Sequence, residues 1–299
     1  MVMKINTIMN PKIILCLALV LSGGLLGCST ASRHVVSKLD LTAYRIDQVL
    51  NKNDVPYDGS NWRAWQNFLV FSNSNIRLPL ARSAVAPGEN YGFDPASLKL
   101  QWLKQDKLLL ISWTTFHLGS GGYTHDGNVI LQIHGDQGRE LFRDHIESIA
   151  KAGWAAQEFS SLKIAYNDSD RTFKFTRRNT AINGNMGVPD IRRPYPFTTT
   201  FTNDAGEAGY ISKVHTIDTW HYKLVGSKLK FLRGSSAVDV GDEGQPIEEI
   251  IKGFHIPRAA LESINPGIRG QHKATGVVFL NKKLKPYEVS SYDGLYGDH

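Results

Sequence analysis

Two groups of histidine and aspartate are spaced closely enough to raise metal or proton-transfer chemistry: His117, His125, Asp126 and His134, and then His215, Asp218 and His221. Zinc sites need ligands that converge from closely paired positions, as in H-E-x-x-H on one helix face. The chain has neither that string nor His-x-His. His215 and His221 stand at an even offset, which puts them on one face of a strand when no bulge intervenes. The expectation is ordinary hydrogen-bonded histidines, with no metal and no cofactor. Nucleophilic chemistry is equally constrained. No G-x-S-x-G elbow exists, and the only cysteines are Cys16 and Cys28. Aromatic side chains that could stack on sugar rings are Trp102, Trp113, Tyr91 and Tyr123, but core packing is the commoner fate of such residues. No residue is therefore assigned a catalytic role.

The N-terminal segment explains the cysteines. Lys4 and Lys12 form a basic start, Ile13 to Val20 is an unbroken apolar run, and "LSGGLLGCS" follows. This is the layout of a secretory signal, too short for a stable membrane span. Leu25-Leu26-Gly27-Cys28 resembles the lipobox of bacterial lipoproteins, with Leu26 bulkier than usual. The resemblance implies cleavage before Cys28, lipidation of its thiol and amine, and attachment to a membrane through the lipid. Ser29, being non-acidic, implies the outer membrane of a Gram-negative envelope. A mature chain of this kind has no free thiol and no disulfide. That excludes thiol peptidases and cysteine transpeptidases, and leaves a hydrophobic core to hold the fold. The precursor carries a net charge of +6, and loss of Lys4 and Lys12 leaves +4. Basic residues occur only in short pairs such as Arg177-Arg178 and Lys282-Lys283, so nucleic acid is not an expected partner.

The elements follow from periodicity. Residues 28–41 read as a lipidated polar tether after a signal over 1–27. Residues 42–97 are rich in turn formers and give no clear pattern. "LKLQWLK", "KLLLISWT" and "NVILQIH" read as strands, as do "SLKIAY", "TFKFT", "FTTTFT", "GYISKVH", "TWHYKL" and "KLKFLR". Between them the spacing predicts a helix over 138–152, with Asp136 as N-cap, Gly153 as stop, and Leu141, Phe142, His145, Ile146 and Ile149 on one face. Glu147-Ser148 in that helix resembles the catalytic pair of lytic transglycosylases. Those enzymes are largely helical, so Glu147 is expected to be solvated. The strand–His-Gly–helix order there is similar to an α/β-hydrolase, but the missing elbow argues against that fold. The fold class expected over 42–235 is mainly β, an antiparallel sandwich or open barrel with one or two helices.

After Ser236 the pattern becomes strand, helix, helix, strand. Pro246 and Glu248-Glu249 open "IEEIIKGF", Pro257 opens "RAALESI", Asn265-Pro266-Gly267 stops it, and "GVVFL" closes the segment. Val238 to Leu280 resembles the LysM domain, a small βααβ module. Gly244-Gln245-Pro246-Ile247 stands at the family's Gly-Asp-Thr-Leu, Ile250-Ile251 at its helical pair, Phe254 at its aromatic, and Leu261 and Ile264 at the second helix's core. Gln245 replaces the usual aspartate, and Asn281 stands where Ile-Pro is common. The resemblance implies binding of N-acetylglucosamine-containing glycan, hence peptidoglycan. Its groove would lie between Gly244, Gln245, Pro246 and Ile247 on one side and Asn265, Pro266, Gly267 and Ile268 on the other. Six acids against four bases in this segment favour a neutral sugar over a polymer carboxylate.

The module is placed at 236–281 and a tail at 282–299. Together these features lead to an outer-membrane lipoprotein, facing the periplasm or the cell surface, that binds peptidoglycan. Its β domain would be an adaptor for an envelope protein or a saccharide. The alternatives are a saccharide-acting enzyme with a site in that domain, or a structural subunit of an envelope machine.

Overall fold

Alternating and unbroken apolar runs fill the middle of the chain, and nearly all of them become strands. The computed structural model describes residues 39–50, 63–86, 89–117, 123–150, 156–186 and 197–288. The signal, Cys28 and most of the tether lie outside the described residues. The first strands are β1 (Tyr44–Leu50), β2 (Arg63–Phe71), β3 (Arg77–Ala86), β4 (Glu89–Phe93), β5 (Lys99–Lys104) and β6 (Leu108–His117). Then come β7 (Tyr123–His134), β8 (Gln137–Ala150), β9 (Ala156–Asn167), β10 (Thr172–Met186), β11 (Thr198–Thr202), β12 (Ala208–Val225) and β13 (Lys228–Asp239). The chain ends with β14 (Gln245–Pro246), α1 (Ile247–Phe254), α2 (Arg258–Ile264), β15 (Lys273–Ala274) and β16 (Val277–Asn281). All strand pairs are antiparallel. One sheet runs β1-β2-β3-β4-β6-β7-β8-β9-β10-β12-β13-β16, with β5 on β6 and β11 on β12. The fold is thus mainly β and antiparallel, with two α-helices among the described residues. None of the described helices is long and apolar enough to cross a membrane.

The runs "KLLLISWT" and "NVILQIH" are apolar at successive positions because both faces of β6 and β7 are covered. Leu109, Ile111 and Trp113 pack with Phe71, Leu78 and Val129 in one cluster. Leu108, Leu110 and Ile130 pack with Phe142, Phe173, Phe175, Trp220 and Tyr222 in another. The meander therefore folds back over β6 and β7 on both sides, β2 and β3 covering one face and β10 and β12 the other, as in a sandwich. Trp113 lies opposite Gly127 on β7. Its indole rests where a side chain would be: a Cβ on Gly127 would stand 2.2 Å from Trp113 Cε2.

The helix expected over 138–152 is not there. Residues 138–150 belong instead to β8, paired with β7 from Gln137 to Ile149, and 151 and 152 lie outside the described residues. Asp136 is no N-cap; with Gly135, at φ +64°, it makes the two-residue turn between β7 and β8. A bulge explains the misleading spacing. Glu140 pairs with Leu131 and Phe142 with Ile130, so Leu141 is an extra residue that breaks the period of two. "GYISKVH" and "TWHYKL", expected as two strands, are one 18-residue strand, β12. β13 runs without interruption through the 235/236 position, from Lys228 to Asp239.

Among the described residues β8 and β9 are joined only at Ile149–Glu158 and Ala150–Gln157. The segment after β16 lies against β8 on one side and β10 and β12 on the other. Leu284 N–H donates to Gly234 O at 3.1 Å, Trp220 Nε1 donates to Lys285 O at 3.1 Å, and Tyr287 N–H donates to Tyr222 Oη at 2.7 Å. The Tyr287 hydroxyl donates to the Asp144 carboxylate on β8, which is 0 % exposed. Gly234 permits the close passage: a Cβ there would stand 2.9 Å from Leu284 Cβ.

Candidate functional site

The C-terminal segment gathers a core cluster, against which Phe197 and Val214 from outside the segment also pack. Val238 at the end of β13 and Val240 just beyond it meet Ile247, Ile250, Leu261, Ala274 and Val278. Ile247, Ile250 and Leu261, apolar at helical spacing, are each 0 % exposed. Phe254 and Ile268 pack against this cluster, whereas Ile264 is only half-buried and Ala260 is exposed. Glu248 and Glu249 occupy the first turn of α1, where the helix dipole favours them. His255 ends α1 in the left-handed region at φ 53°. Arg258 clips α1 to α2 through Glu248 and Glu262.

The first expected groove segment pairs with residues 272–274, which follow the second in sequence, and Ile247 and Ile268 pack on the same core cluster. Gln245 pairs with Ala274 and Pro246 with Lys273, and Ile247 N–H donates to His272 O at 3.0 Å. Gly244 is buried at φ +68°, and a Cβ would fall 2.2 Å from the Ala274 oxygen, so only glycine fits. Of the first segment, Pro246 is exposed and Gln245 half-buried. Of the second, Pro266 and Gly267 are exposed, and a Cβ on Gly267 would meet nothing within 4 Å. Gln271 Nε2 donates to Gly267 O at 2.9 Å and Ile268 N–H to Asn265 O at 3.1 Å, so this loop is rigidly tied.

Asn265 has a role its position in the sequence does not reveal. Its Nδ2 donates to Leu261 O at 2.9 Å and Phe279 O at 2.7 Å, and its Oδ1 accepts from Phe279 N–H at 2.9 Å. One side chain thus ends α2 and stands in for a strand along the outer edge of β16. Lys282 Nζ donates to Ile264 O at 2.7 Å, a cation at the C-terminus of α2. Asn265→Ala is expected to cost about 2–4 kcal/mol, since it removes three bonds, two to Phe279 and one to Leu261 O. Hydrogen exchange at the Phe279 amide should accelerate while Phe173 and Phe175 on β10 stay protected; an unchanged Phe279 rate would mean that the latch holds nothing.

The second histidine group does not converge, and of the first only Asp126 and His134 have described side chains. His215 and His221 share a face of β12, the register against β10 being unbroken between them. Six residues of strand separate them by about 20 Å, and Asp218 points to the opposite face. His215 Nδ1 is 2.9 Å from Thr180 Oγ1. His221, half-buried and flanked by Arg233 and Lys174, has its pKa lowered, by burial first and then by those cations. Asp126 accepts from Thr114 Oγ1 at 2.7 Å. The side chains of His117, His125, Glu147, Ser148, Tyr91 and Tyr123 lie outside the described ones. No group of three or more potential metal ligands occurs among the described residues. Trp113 is buried and Trp102 half-buried in the first core cluster.

One cleft was not visible in the sequence. It lies where the β5–β6 and β9–β10 turns meet the ends of β7 and β12, lined by Lys104, Lys107, His134, Tyr166 and Arg171. Its residues come from four separate segments, and only a scatter of basic residues near turns could have hinted at it. Comparison with protein-family models, curated proteins and solved structures finds no match to this chain.

Proposed function

We propose that the chain is a lipid-anchored outer-membrane protein that binds peptidoglycan glycan through residues 236–281. What supports the reading is the strand–helix–helix–strand order of the segment, in which Ile247 from the first groove segment and Ile268 from the second pack on one core cluster, and Gln245 and Pro246 pair with Ala274 and Lys273. Loops at helix ends suit the amides and hydroxyls of an uncharged sugar chain where their backbone groups keep a free direction; here Gly267 O and Ile268 N–H already bond within the loop, so a sugar would share these groups. Pro246, Pro266 and Gly267 form the exposed part of that surface.

The full chain in detergent should sediment with purified sacculi. Gly267→Trp fills open space without disturbing a neighbour, and is expected to lower retention by roughly tenfold. A wild-type chain that stays in the supernatant would end the glycan reading. A second reading draws on β13, which belongs to both the large sheet and this segment: the segment would then be an interaction surface of an envelope assembly. Stoichiometric capture of envelope proteins without sacculus retention would favour it.

A further inference from the structure

β9, β10, β12 and β13 turn Ile164, Phe173, Phe175, Trp220 and Tyr222 into the core, and their opposite face is charged with one sign. The register places Lys163, Lys174, Lys223, Lys228, Lys230 and Arg233 there, all exposed, with His221 between Lys174 and Arg233. Arg178 and Lys213 continue the face along β10 and β12. Among the described residues its one carboxylate is Asp239, at the far end of β13, which accepts from Gly241 N–H at 3.1 Å. The adjoining turns supply no counter-charge, because Asp106, Asp168 and Asp170 there already stand with Lys104, Lys107 and Arg171. Among the described residues none of the face's cations takes part in an ion pair. Lys223 stands directly opposite Lys230, an arrangement that destabilises a sheet when nothing neutralises it. Strands about 5 Å apart, with about 7 Å between alternate residues, put neighbouring cations within a Debye length of one another. The whole chain has 34 Lys and Arg against 28 Asp and Glu, so a face of one sign is segregation and not composition. Surfaces charged only for solubility mix the signs. Apolar side chains stand among these cations. Val225, opposite Lys228, is 53 % exposed, and Leu232, the extra residue of the bulge beside Arg233, is 48 % exposed. Phe159 and Ile217, on the same face, belong to none of the core clusters.

We propose that this face docks on an anionic phospholipid surface, with the cations on lipid phosphates and Val225 and Leu232 entering the interfacial layer. Charge and shape together select the occupant. Cations spread over four strands match a plane of negative charge, which an anionic leaflet presents. A small anion would engage a few of them and leave the rest repelling one another. A polyanionic glycan would balance the charge but leave the apolar side chains in water, whereas the interfacial layer of a membrane takes them in. The inference goes beyond the peptidoglycan reading and uses none of its groove residues. A lipid on Cys28 would bring the face near a membrane, but the docking itself rests on the sheet.

The test is amine-reactive footprinting of the full chain on vesicles of phosphatidylcholine alone and of phosphatidylcholine mixed with phosphatidylglycerol. Lys174, Lys223, Lys228 and Lys230 should label about fivefold more slowly on the anionic vesicles, and the protection should fade as salt is raised. Lys99 and Lys252, which lie on other elements, should label alike on both. Lys174→Glu combined with Arg233→Glu should return Lys228 and Lys230 to within about twofold of their rate on neutral vesicles. Val225→Ser combined with Leu232→Ser should remove about half of the protection on vesicles, while leaving unchanged the protection given by dextran sulfate, a soluble polyanion. The proposal is overturned by equal labelling on the two kinds of vesicle, or by protection that survives the charge reversal. It is also overturned if the serine variant is protected on vesicles as fully as the wild type, which would make a polyanion the occupant. Flotation with neutral vesicles reads the lipid anchor separately, and its outcome leaves the footprint standing.

Discussion

Tyr287→Ala is expected to lower stability by about 2–4 kcal/mol, somewhat below the range for a fully buried aromatic because the ring is half-buried. The ring is packed against Trp220 at 4.7 Å, Phe142 at 5.8 Å and Phe175 at 6.4 Å between centroids, so its removal opens a cavity among rigid side chains. It also takes the hydroxyl away from a fully buried carboxylate, Asp144. Tyr287→Phe separates the two effects, because it keeps the ring. Its cost should be about 1–3 kcal/mol. The pH dependence gives an independent check. Burial, and then the hydrogen bond to Asp144, push the Tyr287 pKa well above its ordinary value. With the folded-state value raised, the contribution is complete below about pH 10, the unfolded value, and declines as the pH rises past it. Tyr287→Phe should therefore lose part of the alkaline slope; Tyr222 and Tyr166, also raised chiefly by burial, keep the remainder. An identical slope in both proteins would mean that the hydroxyl does not reach Asp144.

Gly127→Ala is expected to cost about 3 kcal/mol, through a jam and not a void. The added methyl would overlap Trp113 Cε2 at 2.2 Å and Cζ2 at 2.3 Å. Trp113 is buried among Phe71, Leu78 and Val129 and has no open side to rotate into. Gly206→Ala is the contrast, at φ +78° with nothing within 4 Å, where only the backbone penalty of about 1 kcal/mol applies. Denaturant midpoints compare the two. Trp113→Leu in the Gly127→Ala background should recover part of the loss, a coupling that a double-mutant cycle measures. A neutral Gly127→Ala would show that the indole does not lie over this glycine.

The strands with a clean period of two, or apolar on both faces, were legible in the sequence: β5 and β6 stand close to where the pattern put them, while β7, β9 and β10 contain the expected runs but extend 5–10 residues beyond them. β8 was not, because the bulge at Leu141 turned an alternating strand into something spaced like a helix. β1 to β4 were hidden in a stretch of turn formers, with Pro79 inside β3 and a bulge in β2 between Gln66 and Phe68. In residues 236–281 the punctuation was readable but not its use. Spacing marks Asn265 as a helix stop; only three dimensions show its amide turned to Phe279. The cleft of Lys107 and Arg171 depends on which turns the meander stacks together, a relation that local sequence does not carry.

Tyr287 and Asp144 are 143 residues apart in sequence, and Leu284 to Tyr287 follow every strand they touch. Contacts so distant along the chain form late. Delivered from N- to C-terminus, the protein holds Phe142, Phe175 and Trp220 in an unfinished cluster until these few residues arrive. A copy cut short before Leu284 leaves this aromatic surface uncovered, and a copy that reaches Tyr287 conceals it.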